Sequence, residues 1–190
     1  MAGRNRALPL VGTEAEAFKL KSMFESVDQN KPCIFLSHIS VDKEVVETIA
    51  EYIMEKADID VYLDIYDEDL QRAVEGGDSI KITELIEKGI SKSSHAMCLI
   101  SEETINSWWV PYELGYAKSS GKKISSLKLN RSIDLPDFLK IGELIHGIKS
   151  LNEYIKNVIS DFEINESYSK LDVSLESHYE PNHPLDSILD

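Results

Sequence analysis

The chain has few cysteines, and their scarcity argues against a disulfide-stabilised fold. Cys33 and Cys98 are the only two among 190 residues, and each lies inside an apolar run typical of a central strand. The sequence contains no CxxC or HExxH motif and no cluster of histidines, so nothing in it predicts a zinc site. We therefore expect both thiols to be reduced and buried, and we expect no bound metal.

Positive charge and long apolar runs are also scarce. The chain has 20 basic and 34 acidic residues, which gives a formal net charge of −14. A field of that sign repels polyphosphates and argues against nucleic-acid binding, although helix N-termini can still hold the phosphates of a small ligand. No stretch is long enough to cross a membrane, and the apolar residues 8–11 are too few for a signal peptide. These absences predict a cytoplasmic protein that binds neither nucleic acid nor membrane.

The sequence as a whole predicts one globular domain with two extensions. Hydrophobic residues make up 42% of the chain, as in ordinary globular proteins. Residues 1–31 form an N-terminal arm, in which Thr13 and Glu16 match a capping box before a short amphipathic helix. Residues 32–162 form the domain itself. Residues 163–190 form an acidic tail, which we expect to be mobile apart from a short strand at 171–175.

Apolar runs alternate with helical stripes through the domain. The predicted strands are residues 33–36, 60–64, 96–100, 124–129 and 144–148. Parallel strands joined by helices require right-handed crossovers that place helices on both faces of the sheet. The alternation therefore predicts an α/β fold, a flavodoxin-like three-layer sandwich with a five-stranded parallel sheet.

Polar side chains follow three of the predicted strands. Ser37 and His38 come after the first, Asp64 ends the second, and Ser101 follows the third. Ligands of parallel sheets bind at the carboxyl ends of the strands. We therefore expect these four side chains to share one substrate-binding edge.

A single acidic residue lies on the helix after the third strand. Glu113 shares its helix face with Trp109 and Tyr116, which are four residues before and three residues after it. Because the helix begins near the carboxyl end of the third strand, we expect this carboxylate at the same edge of the sheet. A carboxylate beside aromatic side chains suits chemistry on a sugar–base bond.

Four segments resemble a bacterial TIR domain in order and spacing. They are residues 34–42 (IFLSHISVD), Asp64 with residues 76–80 (GGDSI), residues 89–101, and residues 107–114 (SWWVPYEL). In NAD+-cleaving members of that family a glutamate on the last of these segments breaks the nicotinamide–ribose bond. The resemblance implies that Glu113 is this catalytic residue. It also implies that Trp109 matches a tryptophan that family members often have four residues before this glutamate.

One carboxylate is chemically sufficient for that reaction. Nicotinamide leaves NAD+ as a neutral base, so no acid is needed to protonate a poor leaving group, unlike in most glycosidases. The remaining task is to stabilise positive charge on the ribose carbon, which a fixed anion performs. Glu113 lies in the first two turns of its helix, so we expect the helix dipole to favour its ionised form.

The resemblance also implies a biological setting. Small stand-alone bacterial TIR proteins often produce a nucleotide signal for a separate effector protein in antiphage systems such as Thoeris. We accordingly expect NAD+ as substrate, no additional cofactor, and a cyclic or modified ADP-ribose as product. We also expect self-association through TIR–TIR contacts, in which the polar loop 67–77 completes the pocket of a neighbour.

Two other interpretations stay open. The first is a non-catalytic TIR scaffold that acts by self-association, although such a protein has no need of Glu113. The second is a nucleoside deoxyribosyltransferase-like enzyme, which residues 113–117 (ELGYA) with Gly121 and Lys122 resemble. The Asp-x-Gly-Thr segment expected before the glutamate of that family is absent here. Residues 107–111 (SWWVP) stand in its place.

Overall fold

The computed structural model of the protein describes residues 2–8, 31–130, 132–165 and 183–189. The strands are β1 (Cys33–Ser37), β2 (Asp60–Tyr62), β3 (His95–Ile100), β4 (Lys123–Lys128) and β5 (Glu143–His146). The α-helices are α1 (Lys43–Ala57), α2 (Glu68–Glu75), α3 (Ser79–Ser91), α4 (Trp109–Ser119), α5 (Gly147–Asn165) and α6 (Asp186–Leu189). The predicted N-terminal helix with its capping box and the predicted strand at 171–175 lie outside the described residues.

The five strands form one all-parallel sheet in the order β2-β1-β3-β4-β5. This arrangement confirms the predicted fold class. β1 is buried along its whole length because it is a central strand covered on both faces, which explains its unbroken apolar sequence. Cys33 and Cys98 are both buried and form no disulfide, as the sequence predicted.

Two hydrophobic layers hold the helices against the sheet. On one face, Ile49 and Ile53 of α1 meet Leu151 and Ile155 of α5 over the strands. On the other face, apolar side chains of α3 and α4 pack with Phe35 and Tyr62 from β1 and β2. Burial of these faces supplies the main driving force for the fold, at about 25 cal/mol per Å² of apolar surface.

The loop predicted over residues 67–77 is mostly helical. Asp67 caps α2, because its side chain accepts hydrogen bonds from the backbone N–H groups of Asp69 and Leu70. Leu70 and Ala73 are buried against the domain, which fixes the helix in place. The prediction of a long loop was wrong because this helix is too short to show a sustained apolar period.

The last strand ends two residues earlier than the sequence predicted. β5 stops at His146, and residues 147–148 already belong to α5. Gly147 has a φ of 68°, a left-handed conformation that redirects the chain from strand to helix at little cost for glycine.

The described part of the amino-terminal arm covers one edge of the sheet. Asn5 forms a parallel bridge with Val61 of the edge strand β2. The backbone N–H of Arg6 donates to the Val61 carbonyl at 2.8 Å, and the Val61 N–H donates to the Arg4 carbonyl at 3.0 Å. The Arg6 guanidinium reaches the Asp60 carboxylate at 2.8 Å in a buried ion pair.

The end of the acidic tail packs on the domain. Leu185 and Leu189 are buried in the core beside α1 and α5. The ring of His183 lies against Tyr52, with 5.2 Å between ring centroids, and its Nε2 is 3.3 Å from the Tyr52 hydroxyl. The expectation of a mobile tail is therefore wrong for residues 183–189, where two leucines and a histidine provide a buried anchor.

Candidate active site

The carboxyl edge of the sheet brings together residues from four separate segments. Ser37 is the last residue of β1, and His38 follows it. Asp64 begins the 3₁₀ turn Asp64–Tyr66 after β2, and Cys98 lies on β3 opposite Ser37 in the register. Glu113 comes from α4 and points inward among the buried residues of that helix.

Glu113 is held by a close hydrogen bond from Ser37. The Ser37 hydroxyl donates to Glu113 Oε2 at 2.5 Å. Ser37 is 1% exposed and Glu113 is 5% exposed, so water has little access to this contact. A short hydrogen bond from a buried hydroxyl fixes the position of the carboxyl group at the end of β1.

Burial changes the protonation of this carboxyl group. The pKa of Glu113 is raised to about 8, because loss of hydration on burial and, to a smaller extent, the nearby Asp64 charge raise it, while the Ser37 hydrogen bond lowers it. The sequence predicted that the helix dipole would favour the ionised form. In the folded protein desolvation outweighs the dipole, so Glu113 is mainly protonated at neutral pH.

Asp64 and His38 form the second polar part of the site. His38 Nδ1 lies 3.0 Å from the Leu36 carbonyl and 3.7 Å from Asp64 Oδ1. Because a carbonyl only accepts, Nδ1 carries the hydrogen in this arrangement. Burial raises the pKa of Asp64, while His38 and the backbone N–H groups of Asp64 and Ile65 oppose that rise.

The aromatic residues of α4 are less enclosed than predicted. The buried positions of the helix are Val110, Glu113, Leu114 and Ala117. Trp109 is 42% exposed at the rim, and its ring meets Tyr112 edge-on with 6.0 Å between centroids. Tyr116 packs half-buried against the cluster around Phe35. The part of Trp109 and Tyr116 in substrate binding therefore stays a prediction.

Ser101 lies at the predicted edge but is occupied within its own turn. Its backbone N–H donates to Thr104 Oγ1 at 3.0 Å, and its hydroxyl is 3.1 Å from the same oxygen. Thr104 Oγ1 in turn donates to the Leu99 carbonyl at 3.3 Å. These bonds lie in the turn between β3 and α4, and the part of Ser101 in substrate binding stays a prediction.

The sequence reasoning missed Cys98 as a neighbour of the carboxyl group. Burial raises the pKa of the Cys98 thiol, the Glu113 charge raises it further, and Ser37 lowers it through a hydrogen bond. The register of the two adjacent strands sets this proximity, because Ser37 at the end of β1 pairs with Cys98 of β3. A buried neutral thiol adds to the low polarity around Glu113.

A groove of ≈ 440 Å³ opens beside this edge, next to the residues that follow Asp64. It is lined by Leu8, Ile65, Tyr66, Glu68, Gln71 and Arg72. Within the described residues no group of three or more His, Cys, Asp or Glu side chains is placed to hold a metal ion. In the same part of the chain no helix has the length and apolar character needed to cross a membrane.

Comparisons with known proteins show the family and the fold of this chain. The profile of the TIR domain family matches residues 34–156. A similar solved structure is the TIR domain of the Toll-related receptor TRR-2 from the lower metazoan Hydra magnipapillata, with 20% identity and a TM-score of 0.51. The match covers 68% of this chain and 97% of that one, and at this identity it shows the fold alone. None of the curated proteins matches this chain.

Proposed function

This chain belongs to the TIR domain family, and from that premise and its buried carboxyl group we propose that it cleaves the nicotinamide–ribose bond of NAD+. The observation that carries the proposal is the contrast between two buried acids. Asp60 is neutralised by Arg6, whereas no basic side chain of the described residues pairs with Glu113. A buried carboxyl group without a counter-charge costs stability, and such groups concentrate at functional sites.

In the proposed reaction Glu113 acts in its ionised form. The carboxylate stabilises the positive charge that develops on the ribose carbon as neutral nicotinamide departs. The Ser37 hydroxyl, 2.5 Å from Oε2, orients the carboxylate and leaves the second oxygen for the sugar. Burial around Glu113 strengthens this electrostatic contact because few water molecules screen it.

We extend the proposal to the product and its use. Trp109, exposed at the rim of α4, offers a flat face on which the adenine ring can stack. Stacking there holds the adenine near the ribosyl cation and excludes water, which favours a cyclic or modified ADP-ribose. Such a nucleotide serves as a signal for a separate effector protein, as in bacterial antiphage defence.

Self-association belongs to the same proposal. Val41 is 71% exposed and Trp108 is 91% exposed, and both follow strands at the edge that carries Glu113. Exposed apolar side chains favour contact between protein surfaces. The same residues favour the second candidate function, a TIR scaffold without catalysis, so activity decides between the two.

Product analysis tests the proposed function directly. We expect purified protein incubated with NAD+ to release nicotinamide and a cyclic or modified ADP-ribose, both identified by mass spectrometry. We also expect specific activity to fall on dilution, because association completes the pocket. Absence of nicotinamide at every protein concentration would support the scaffold, and plain ADP-ribose as the sole product would refute the proposed product.

The pH dependence of activity follows from the protonation of Glu113. Because its pKa is raised to about 8 and the ionised form reacts, kcat/KM should increase with pH through that value. The value of kcat/KM at pH 6 should be about 100-fold below its plateau at high pH, the factor expected two pH units below a pKa. The Glu113→Gln protein provides the blank for alkaline breakdown of NAD+. A flat profile between pH 6 and 9 would contradict the assignment.

A further inference from the structure

The carboxy-terminal anchor, residues 183–189, packs against two helices on one face of the sheet. Leu185 and Leu189 are buried in the hydrophobic layer that α1 and α5 form over the strands. His183 is 4% exposed, and its ring centroid lies 5.2 Å from that of Tyr52 on α1. A helix as short as α6, with four residues, is not stable by itself, so the anchor depends on these contacts for its conformation.

The hydrogen bonds of His183 define which of its ring nitrogens carries the hydrogen. The backbone N–H of Leu185 donates to Nδ1 at 3.1 Å, so Nδ1 has no hydrogen. The Tyr52 hydroxyl donates its hydrogen to Asn152 Oδ1 at 2.9 Å, so its oxygen accepts from His183 Nε2, 3.3 Å away. The ring in the docked anchor is therefore neutral, with its hydrogen on Nε2.

A continuous chain of hydrogen bonds thus joins the anchor to both helices. It runs from the Leu185 N–H through the His183 ring to the Tyr52 hydroxyl of α1. That hydroxyl then donates to Asn152 of α5. The three side chains in this chain are all buried, so a bond that is lost while the anchor stays docked is not readily replaced by water.

The groups that face the His183 ring come from both helices and from the anchor itself. Tyr52 faces it from α1, and α5 contributes the uncharged Asn152 through the Tyr52 hydroxyl. On the anchor, the Asp186 carboxylate accepts from the His183 backbone N–H at 3.0 Å. A nearby negative charge favours protonation of an imidazole, so the hydrogen bonds of the ring, and not Asp186, oppose it.

Protonation of His183 and docking of the anchor exclude each other. A proton on Nδ1 occupies the lone pair that accepts from the Leu185 N–H, so two hydrogens would face each other. The buried N–H loses its acceptor, and the new positive charge lies in a poorly hydrated site. A detached anchor meets neither restriction, because water hydrates both groups. The detached form therefore binds the proton more readily, and lower pH favours it.

We propose that His183 is a pH-sensitive switch that holds residues 183–189 on α1 and α5 while its ring is neutral and releases them when the ring is protonated. Histidine suits this role because its charge changes between pH 5 and 8. Release uncovers the apolar surface of α1 and α5 on which Leu185 and Leu189 pack. The switch therefore makes the exposed apolar surface of the domain depend on pH.

Nitrogen-15 NMR of the histidine rings in the full-length protein tests the docked state. At pH 8 we expect a neutral His183 ring with its hydrogen on Nε2 and an acceptor nitrogen at Nδ1. The spectrum of His183→Gln assigns these signals, because they are absent from it. A His183 ring that carries its hydrogen on Nδ1 at pH 8, or one that is already protonated, overturns the proposal.

A titration from pH 8 to pH 5 tests the release. We expect the methyl signals of Leu185 and Leu189 to move to the positions of an unfolded segment at the same pH at which the His183 ring gains its proton. The equilibrium constant for docking should fall by up to about 10-fold per pH unit, the slope for uptake of one proton. An anchor that stays docked down to pH 5 overturns the proposal, as does release at a pH at which the ring does not titrate.

Three variants separate His183 from other titrating groups. In His183→Gln the two leucine signals should no longer respond to pH between 8 and 5, whether the anchor is docked or detached in that variant. His146→Gln is the matched control, because His146 is an exposed histidine at the end of β5, and it should leave the release unchanged. In Asp186→Asn the release should still follow the His183 ring. A pH response that persists in His183→Gln, or that disappears in Asp186→Asn, overturns the proposal.

Discussion

Glu113→Gln should lower the rate of nicotinamide release on the order of 10²–10³-fold, the effect of losing one pre-organised electrostatic contact. Glutamine preserves the volume of the side chain and can still accept the Ser37 hydrogen bond, but it carries no negative charge. The rate is measured with NAD+ at pH 8.5, where wild-type Glu113 is largely ionised. Glu103→Gln is the matched control, because Glu103 is exposed in the turn before α4 and should retain full activity.

The same substitution should change stability in a pH-dependent way. The fold raises the pKa of Glu113 from 4.5 to about 8, so the folded protein favours the protonated form. Wild-type protein therefore loses stability as pH rises between those two values, while the glutamine variant does not. At pH 9 the variant should be more stable by a few kcal/mol, and near pH 4 the two should melt alike.

Two outcomes would contradict these expectations. Near wild-type turnover in Glu113→Gln would show that Glu113 is not catalytic. Equal melting temperatures of variant and wild type across pH 4–9 would show that the carboxyl group is not destabilised by burial.

Asp60→Ala should destabilise the protein by about 3–5 kcal/mol, the cost of removing one partner from a buried ion pair. The Asp60 carboxylate accepts from the Arg6 guanidinium at 2.8 Å and from the Arg4 backbone N–H at 3.0 Å, and it lies 3.2 Å from Lys31 Nζ. Its loss removes the Asp60 charge from beside the buried Arg6 guanidinium. Urea unfolding measures the change, and the melting temperature should fall by about 10 °C.

Asp137→Ala serves as the control for this measurement. The Asp137–Lys140 pair has a similar separation of 3.2 Å, but the Asp137 side chain is fully exposed and the Lys140 side chain is half exposed. Its removal should cost at most about 1 kcal/mol. A comparably small effect of Asp60→Ala would mean that the amino-terminal residues do not stabilise the sheet edge.

The sheet, and the meeting of polar side chains at its carboxyl edge, could be predicted because they depend on local patterns. Unbroken apolar runs such as 33–36 mark buried parallel strands, and Ser37 and Asp64 lie where two of these runs end. The meeting of Ser37 with Glu113 follows from topology, since α4 begins at the carboxyl end of the adjacent β3. The catalytic role of Glu113 stays a proposal that activity measurements will decide.

The protonation of the site could not be predicted from the sequence. The sequence shows that Glu113 is near a helix start, but the extent of its burial depends on strands that are distant along the chain. Desolvation by those strands exceeds the dipole effect, which contributes typically 0.3–1 kcal/mol. The anchor at residues 183–189 was missed for a similar reason, because His183 meets Tyr52 across 131 positions of sequence.

The pairing of residues 2–8 with β2 also has a mechanical consequence. Arg6 donates a hydrogen bond to Asp60, the first residue of β2. Asp64, at the edge of the site, follows Asp60 by four residues. Tension applied at residue 2 would act first on the Gly3–Met54 backbone hydrogen bond, and then on the contacts of Arg4 and Arg6 with Asp60 and Val61. A pulling load on that end would therefore reach the segment carrying Asp64 before the rest of the sheet yields. A load on residues 183–189 would act on their packing against α1 and α5.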